Sequence, residues 1–156
     1  MKTKTLERIR RRFERLPLHH IDTSIILEDP KSDDGRYCER YLHLVGYKYR
    51  GVFSLPMLGE LFLKIMSLGN EDDKSVALEF TKTIIQNKRI KFYTPKNIED
   101  IITRLEDKRL EHTDKSIFAC AVEDAALTLV TLDRKLIGNS RLEAFGIKIK
   151  HPKELV

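Results

Sequence analysis

Short apolar runs alternate with longer stretches of helical periodicity, and that alternation constrains this chain more than any other feature. The runs at about 19–22, 51–54, 90–92, 127–132 and 147–149 are too short for ordinary helices and suit buried or edge strands. Between them, segments 35–45, 55–68, 74–87, 98–105 and 113–122 place apolar residues at helical spacing, as in Ile98, Ile101, Ile102 and Leu105. Strands separated by helices predict an α/β fold, a three-layer α/β/α sandwich around a mostly parallel central sheet. A chain of 156 residues supports one such core.

One segment stands apart. Residues 1–20 hold seven Lys or Arg against two Glu, whereas the remainder is balanced at 22 of each sign, so the net charge of +5 resides entirely in this stretch. Leu6, Ile9 and Phe13 recur there at helical spacing. We expect residues 1–19 to form a basic amphipathic helical extension and residues 20–156 to form the folded domain. The basic face either steers a polyanion or simply solvates the helix.

Several classes are excluded. No apolar run approaches the ~20 residues of a bilayer span, and the first twenty residues lack the apolar run and cleavage site of a secretory signal. Cys38 and Cys120 are too few for a disulfide framework. A cytoplasmic protein without membrane contact is the expectation. The glycine-rich dinucleotide fingerprint, the P-loop and the G-x-S-x-G elbow are all absent.

The polar residues that matter are acids at element ends. Asp22 follows the first strand and Asp133 follows the apolar run LTLVTL, while Asp114 opens the helix before that run. Ligands in open α/β sheets collect beyond the carboxyl ends of the strands, so these acids are candidates for one cleft. Each acid also has a local reading, since Asp22 before Thr23–Ser24 and Asp133 before Arg134 suit Asx-turns or caps. Glu60 falls roughly opposite a helix face centred on Leu58, Leu61, Phe62 and Ile65. Clustered carboxylates repel one another unless a hard cation neutralises them, and Mg²⁺ or Mn²⁺ takes such oxygen ligands. His19 and His20 are expected to face solvent. Tyr37, Tyr41, Tyr47 and Tyr49 suit base stacking, a dimer contact or the core.

In order along the chain, IDTSIIL, SLPMLGELFLKI and TDKSIFACAVEDAALTLVTLDRKL resemble the motifs of PIN-domain ribonucleases, most closely the stand-alone prokaryotic or archaeal VapC-like group. The resemblance spans about residues 20–152, and its acids map to Asp22, Glu60, Asp114 and Asp133, the last two 19 residues apart. It implies an endoribonuclease dependent on Mg²⁺ or Mn²⁺. Asp22, Asp114 and Asp133 would hold the metal, and Glu60 would complete the acidic ring or position water, with Glu79 as its substitute. Thr23, Ser24 and Thr131 would orient these groups, and Arg134 with Arg10, Arg11 and Arg12 would bind substrate phosphate. It further implies a homodimer and, for a toxin, a small antitoxin partner. The family usually begins almost at its first acid, so the basic extension leaves an RNA-processing role open. The alternative class is a non-catalytic nucleic-acid-binding or assembly module on the same fold.

Overall fold

A computed structural model describes residues 2–156. Helix α1, Lys2–Glu14, buries none of its residues. After it come β1 (Leu18–Ile21), α2 (Thr23–Leu27), α3 (Asp33–Leu44), β2 (Arg50–Ser54), α4 (Leu55–Met66), α5 (Glu71–Asn87) and β3 (Lys91–Tyr93). The chain then forms α6 (Glu99–Arg104), α7 (His112–Glu123), β4 (Thr128–Val130), α8 (Ser140–Glu143), β5 (Lys148–Lys150) and a closing 3-10 turn, Pro152–Glu154. Among the described residues no helix is long and apolar enough to cross a membrane.

The five strands form one sheet in the order β3-β2-β1-β4-β5, and every adjacent pair is parallel. The expected three-layer sandwich is the observed one. Chain order runs outward from β1 through β2 to β3, then resumes on the other side with β4 and β5. The switch point therefore falls between β1 and β4, where a crevice opens beyond the carboxyl ends of both strands.

A central parallel strand is covered on both faces, so its side chains are buried whatever their polarity. This corrects the expectation for β1. His19 and His20 are each only 1% exposed. His19 Nδ1 pairs with the Tyr41 hydroxyl at 2.8 Å and its ring stacks on Tyr49. On the opposite face, His20 Nε2 lies 2.8 Å from Asp124. Burial lowers the His19 pKa to about 4 and lowers that of His20, with Asp124 opposing. Tyr41 and Tyr49 are thus core residues, while Tyr47 is exposed.

Helix α4 also departs from expectation. Its buried stripe is Met57, Leu61 and Ile65, and Phe62 is exposed, because α4 packs against both α2 and α7. Glu60 consequently lies on the flank of the helix instead of its back. Helix α5 begins earlier than the expected 74–87 segment: Asn70 caps it, and Glu71, Asp72 and Asp73 occupy its first turn, where the helix dipole favours acids. Residues 134–137 form hydrogen-bonded turns closed on the Asp133 carbonyl, and α8 follows, capped by Asn139.

Candidate active site

Asp22 is the best-buried acid, with 8% of its surface exposed. It occupies the cap position of α2 in extended conformation but makes no side-chain cap bond, so its carboxylate is free to face the crevice. Two hydroxyls hold it: Ser24 Oγ donates to Oδ2 at 2.7 Å and Thr131 Oγ1 donates to the same oxygen at 2.9 Å. Both hydroxyls also accept backbone bonds from the turn after β4. Ser24 Oγ receives the Leu132 N–H and Thr131 Oγ1 receives the Asp133 N–H. Two side chains thereby lock the carboxyl end of β1 to that of β4. The local reading of Asp22 beside Ser24 is present in the Ser24–Asp22 bond, and the cross-strand lock is added to it. Thr23 is fully buried and reaches the Met57 carbonyl at 3.5 Å, tying α2 to α4.

Asp114 stands in the first turn of α7, and one of its oxygens accepts the Glu111 N–H at 3.4 Å. Asp133 accepts the Lys135 N–H in an Asx-turn and remains partly open. Glu60 pairs with Lys64 Nζ at 2.7 Å. Two of the acids are shifted by their surroundings. Burial raises the Asp22 pKa, the Ser24 and Thr131 hydroxyls oppose that rise, and Glu60 adds to it. Burial likewise raises Asp114, with Asp133 and Asp22 adding to the shift. Asp22, Asp114 and Asp133 thus lie within electrostatic reach around the switch point, with Glu60 linked to them through Asp22.

Two lysines that sequence reasoning missed sit among them. Lys135 Nζ is 3.9 Å from both Asp114 and Asp133. Lys64 is raised in pKa: burial works against its charge, but Glu60, Asp22 and Asp114 together outweigh it. The only sequence signal for Lys64 was its i+4 spacing from Glu60. Among the described residues no three His, Cys, Asp or Glu side chains are placed to hold an ion. The donor set, carboxylates flanked by hydroxyls, nevertheless has the all-oxygen chemistry of a hard divalent cation.

The remaining candidates lie elsewhere. Glu79 is exposed on α5. Arg10, Arg11 and Arg12 are on α1, which joins the sheet at the amino ends of the strands. Its Phe13 meets Arg89 in the turn before β3. That is the edge opposite the acids. Arg134 is exposed beside Asp133.

Solved structures share this arrangement of elements. FitAcB from Neisseria gonorrhoeae superposes with a TM-score of 0.63 at 20% identity, covering 86% of this chain and 98% of that one. The chain has a PIN-like fold. VapBC2 from Rickettsia felis, solved with a DNA fragment from its promoter, gives 0.63 at 18% identity over 86% of this chain and 98% of that one. VapC20 from Mycobacterium tuberculosis, described as a sarcin–ricin loop cleaving toxin, gives 0.56 at 15% identity over 83% and 95%. Neither a family model nor a curated protein matches the sequence.

Proposed function

We propose that this chain is a Mg²⁺- or Mn²⁺-dependent endoribonuclease whose catalytic acids are Asp22, Glu60, Asp114 and Asp133. The observation that carries the reading is the convergence of these acids at the β1/β4 switch point, with Asp22 and Asp114 both raised in pKa by burial and by neighbouring carboxylates. Mutual repulsion of this kind is relieved when a cation binds between the acids. Asp22, Asp114 and Asp133 would hold the metal. When bound, it supplies charge neutralisation for the phosphodiester and acidity to water. Glu60, once released by Lys64, orients the attacking water. Ser24 and Thr131 keep the Asp22 carboxylate aimed into the crevice, as supporting hydroxyls do at metal sites. The boundary expected at residue 19 falls inside β1, so the nuclease unit begins with β1 at Leu18 and helix α1 is an accessory extension.

The likeness to FitAcB and VapBC2 extends the proposal to partners: a homodimer, and a small antitoxin protein if the chain is a toxin. A cavity of about 670 Å³ lined by Ile25, Leu42, Val76 and Phe80 offers such a protein an apolar seat. The alternative of a non-catalytic binding module has one observation in its favour, the two lysines that already neutralise part of the acid cluster.

One experiment separates the readings. Labelled single-stranded RNAs and matched DNAs are incubated with Mg²⁺ or Mn²⁺, using wild type, Asp22→Asn, Asp114→Asn and an EDTA control. Metal-dependent RNA cleavage lost in both variants is the expected result. RNA binding without cleavage, together with no Mn²⁺ heat in calorimetry, would select the binding module instead.

A further inference from the structure

Beside the acids lies a second cavity, of opposite charge and about 580 Å³. Volumes of roughly 300–1,000 Å³ are those of ligand sites. One wall is the loop between α6 and α7, carrying Lys108 and Arg109. The other is the turn after β4 with the start of α8, carrying Arg134, Lys135 and Arg141. Asp107 rivets the two walls together. Its carboxylate accepts Arg109 Nε at 3.1 Å and a terminal Arg109 nitrogen at 2.8 Å, and it accepts Asn139 Nδ2 at 3.1 Å. Asn139 in turn caps α8.

That rivet decides the electrostatics. The Asp107 charge is spent on Arg109, so both cancel, and the Arg109 guanidinium holds the Asp107 carboxyl well below the usual range. Among the described residues Lys108, Arg134 and Arg141 form no ion pair and no side-chain hydrogen bond. Against them the lining offers only Glu106 as an uncommitted acid. Lys135 belongs to both places, since it lines this cavity and reaches Asp114 and Asp133. If these cations served only to offset the acids, they would turn toward them, as Lys135 does. Three of them instead surround open space that adjoins the crevice.

We propose that this cavity is a phosphate-binding subsite that takes the RNA strand next to the bond being cut. Lys108, Arg134 and Arg141 grip its phosphodiesters, and Lys135 marks the boundary with the acids. The assignment rests on the nuclease reading above. The α1 arginines, at the far edge of the sheet, cannot reach the same phosphates. Contacts of this kind set the path of the strand without reading its bases, and arginine suits them because its planar fork matches two phosphate oxygens.

The test is fluorescence anisotropy of a labelled single-stranded RNA with the full chain in EDTA, over a series of salt concentrations. Wild type is compared with Arg134→Ala/Arg141→Ala and with Arg134→Lys/Arg141→Lys. Each phosphate contact contributes about −0.7 to the log–log salt slope on single strands. The double alanine variant should flatten the slope by roughly 1.4 and weaken low-salt binding at least tenfold, while the lysine pair retains most of the slope. An unchanged slope and affinity in the alanine pair overturns the subsite, as does failure of wild type to bind RNA at all. Inorganic phosphate or a mononucleotide displacing RNA at micromolar concentration would also overturn it, by assigning the pocket to a free phosphate ligand. Metal-dependent cleavage by wild type is scored separately. A pocket-dependent slope without cleavage leaves the subsite standing and removes the nuclease reading. Cleavage with a pocket-independent slope does the reverse.

Discussion

Thr131 is the residue whose loss should be most informative, because its hydroxyl is shared between two acids. Replacing it with valine keeps the shape and removes two bonds. The bond donated to Asp22, 2.9 Å long and buried, serves a charged group, and such bonds contribute about 1.5–3 kcal/mol. The bond accepted from the Asp133 N–H at 3.0 Å adds about 0.5–1.5 kcal/mol. Burial of the new methyl group returns something under about 1 kcal/mol. A net loss of roughly 2–3 kcal/mol at pH 7 follows, read from urea unfolding followed by circular dichroism. The loss depends on pH through Asp22. Its folded pKa lies above the unfolded value, so its contribution is fully present below the unfolded pKa and is lost as pH rises through the folded one. Removing the Thr131 hydroxyl raises that folded pKa further. Thr131→Val therefore costs less at acid pH than at neutral pH. In an Asp22→Asn background the donated bond becomes a neutral one, and the cost should fall to about 1–2 kcal/mol. The double-mutant coupling is then about 1 kcal/mol, outside the roughly 0.5 kcal/mol scatter of independent sites. Additive losses would refute the view that Thr131 acts on Asp22.

Three further outcomes are expected. The buried, neutral His19 has its pKa lowered from 6.5 to about 4, so the unfolded chain binds its proton first and stability falls as pH drops from about 6.5 toward 4. His19→Gln should flatten the urea midpoint over that window, and an unaltered pH slope would discard the assignment. Lys64→Met removes an ammonium group from the acids while its side chain is half-exposed, so stability should change by less than about 1 kcal/mol. Mn²⁺ affinity by calorimetry should rise severalfold, and a fall would show that Lys64 organises the site. Removal of residues 1–14 deletes a helix with no buried residue, so the melting temperature should move by no more than a degree or two. A drop of many degrees would mean that α1 packs on the domain in solution.

The sheet was legible because each strand is bounded locally: Ser54 caps α4 and Gly46 takes a positive φ after α3, both visible as residue types. What the sequence could not convey was neighbourhood. His19 and His20 looked like solvent-facing histidines because nothing near them in sequence says that β1 is central. Their partners, Tyr41 and Asp124, lie 22 and 104 residues away. Phe62 looked like a core residue because periodicity gives the width of an apolar stripe, whereas packing against α2 and α7 decides which way it faces. The same rotation brought Glu60 to the acids. The cationic cavity was still less visible, since Lys108 and Arg141 meet only through the Asp107–Asn139 rivet across 32 residues.

The spacing of the two later acids carried more information than either acid alone. In a parallel sheet a crossover helix runs antiparallel to the strand that follows it, so the helix start and the strand end share one edge. Helix α7 has 12 residues, which at ~1.5 Å each travels about 18 Å toward the amino edge. The turn at Ala125, with φ of 52°, reverses the chain. The chain reaches β4 at Thr128, and an extended path from there to Asp133, at about 3.3 Å per residue, returns about 17 Å, a comparable depth. Asp114 and Asp133 are brought together because the descent and the climb match. The 19-residue interval is thus a measure of sheet depth. A residue inserted at the 125–127 turn would lengthen the climb alone, and β4 would have to shift its register against β1. Because side chains alternate across a sheet, a slip of one residue would turn Thr131 away from Asp22. The acid pair and the hydroxyl that supports it therefore depend on one length.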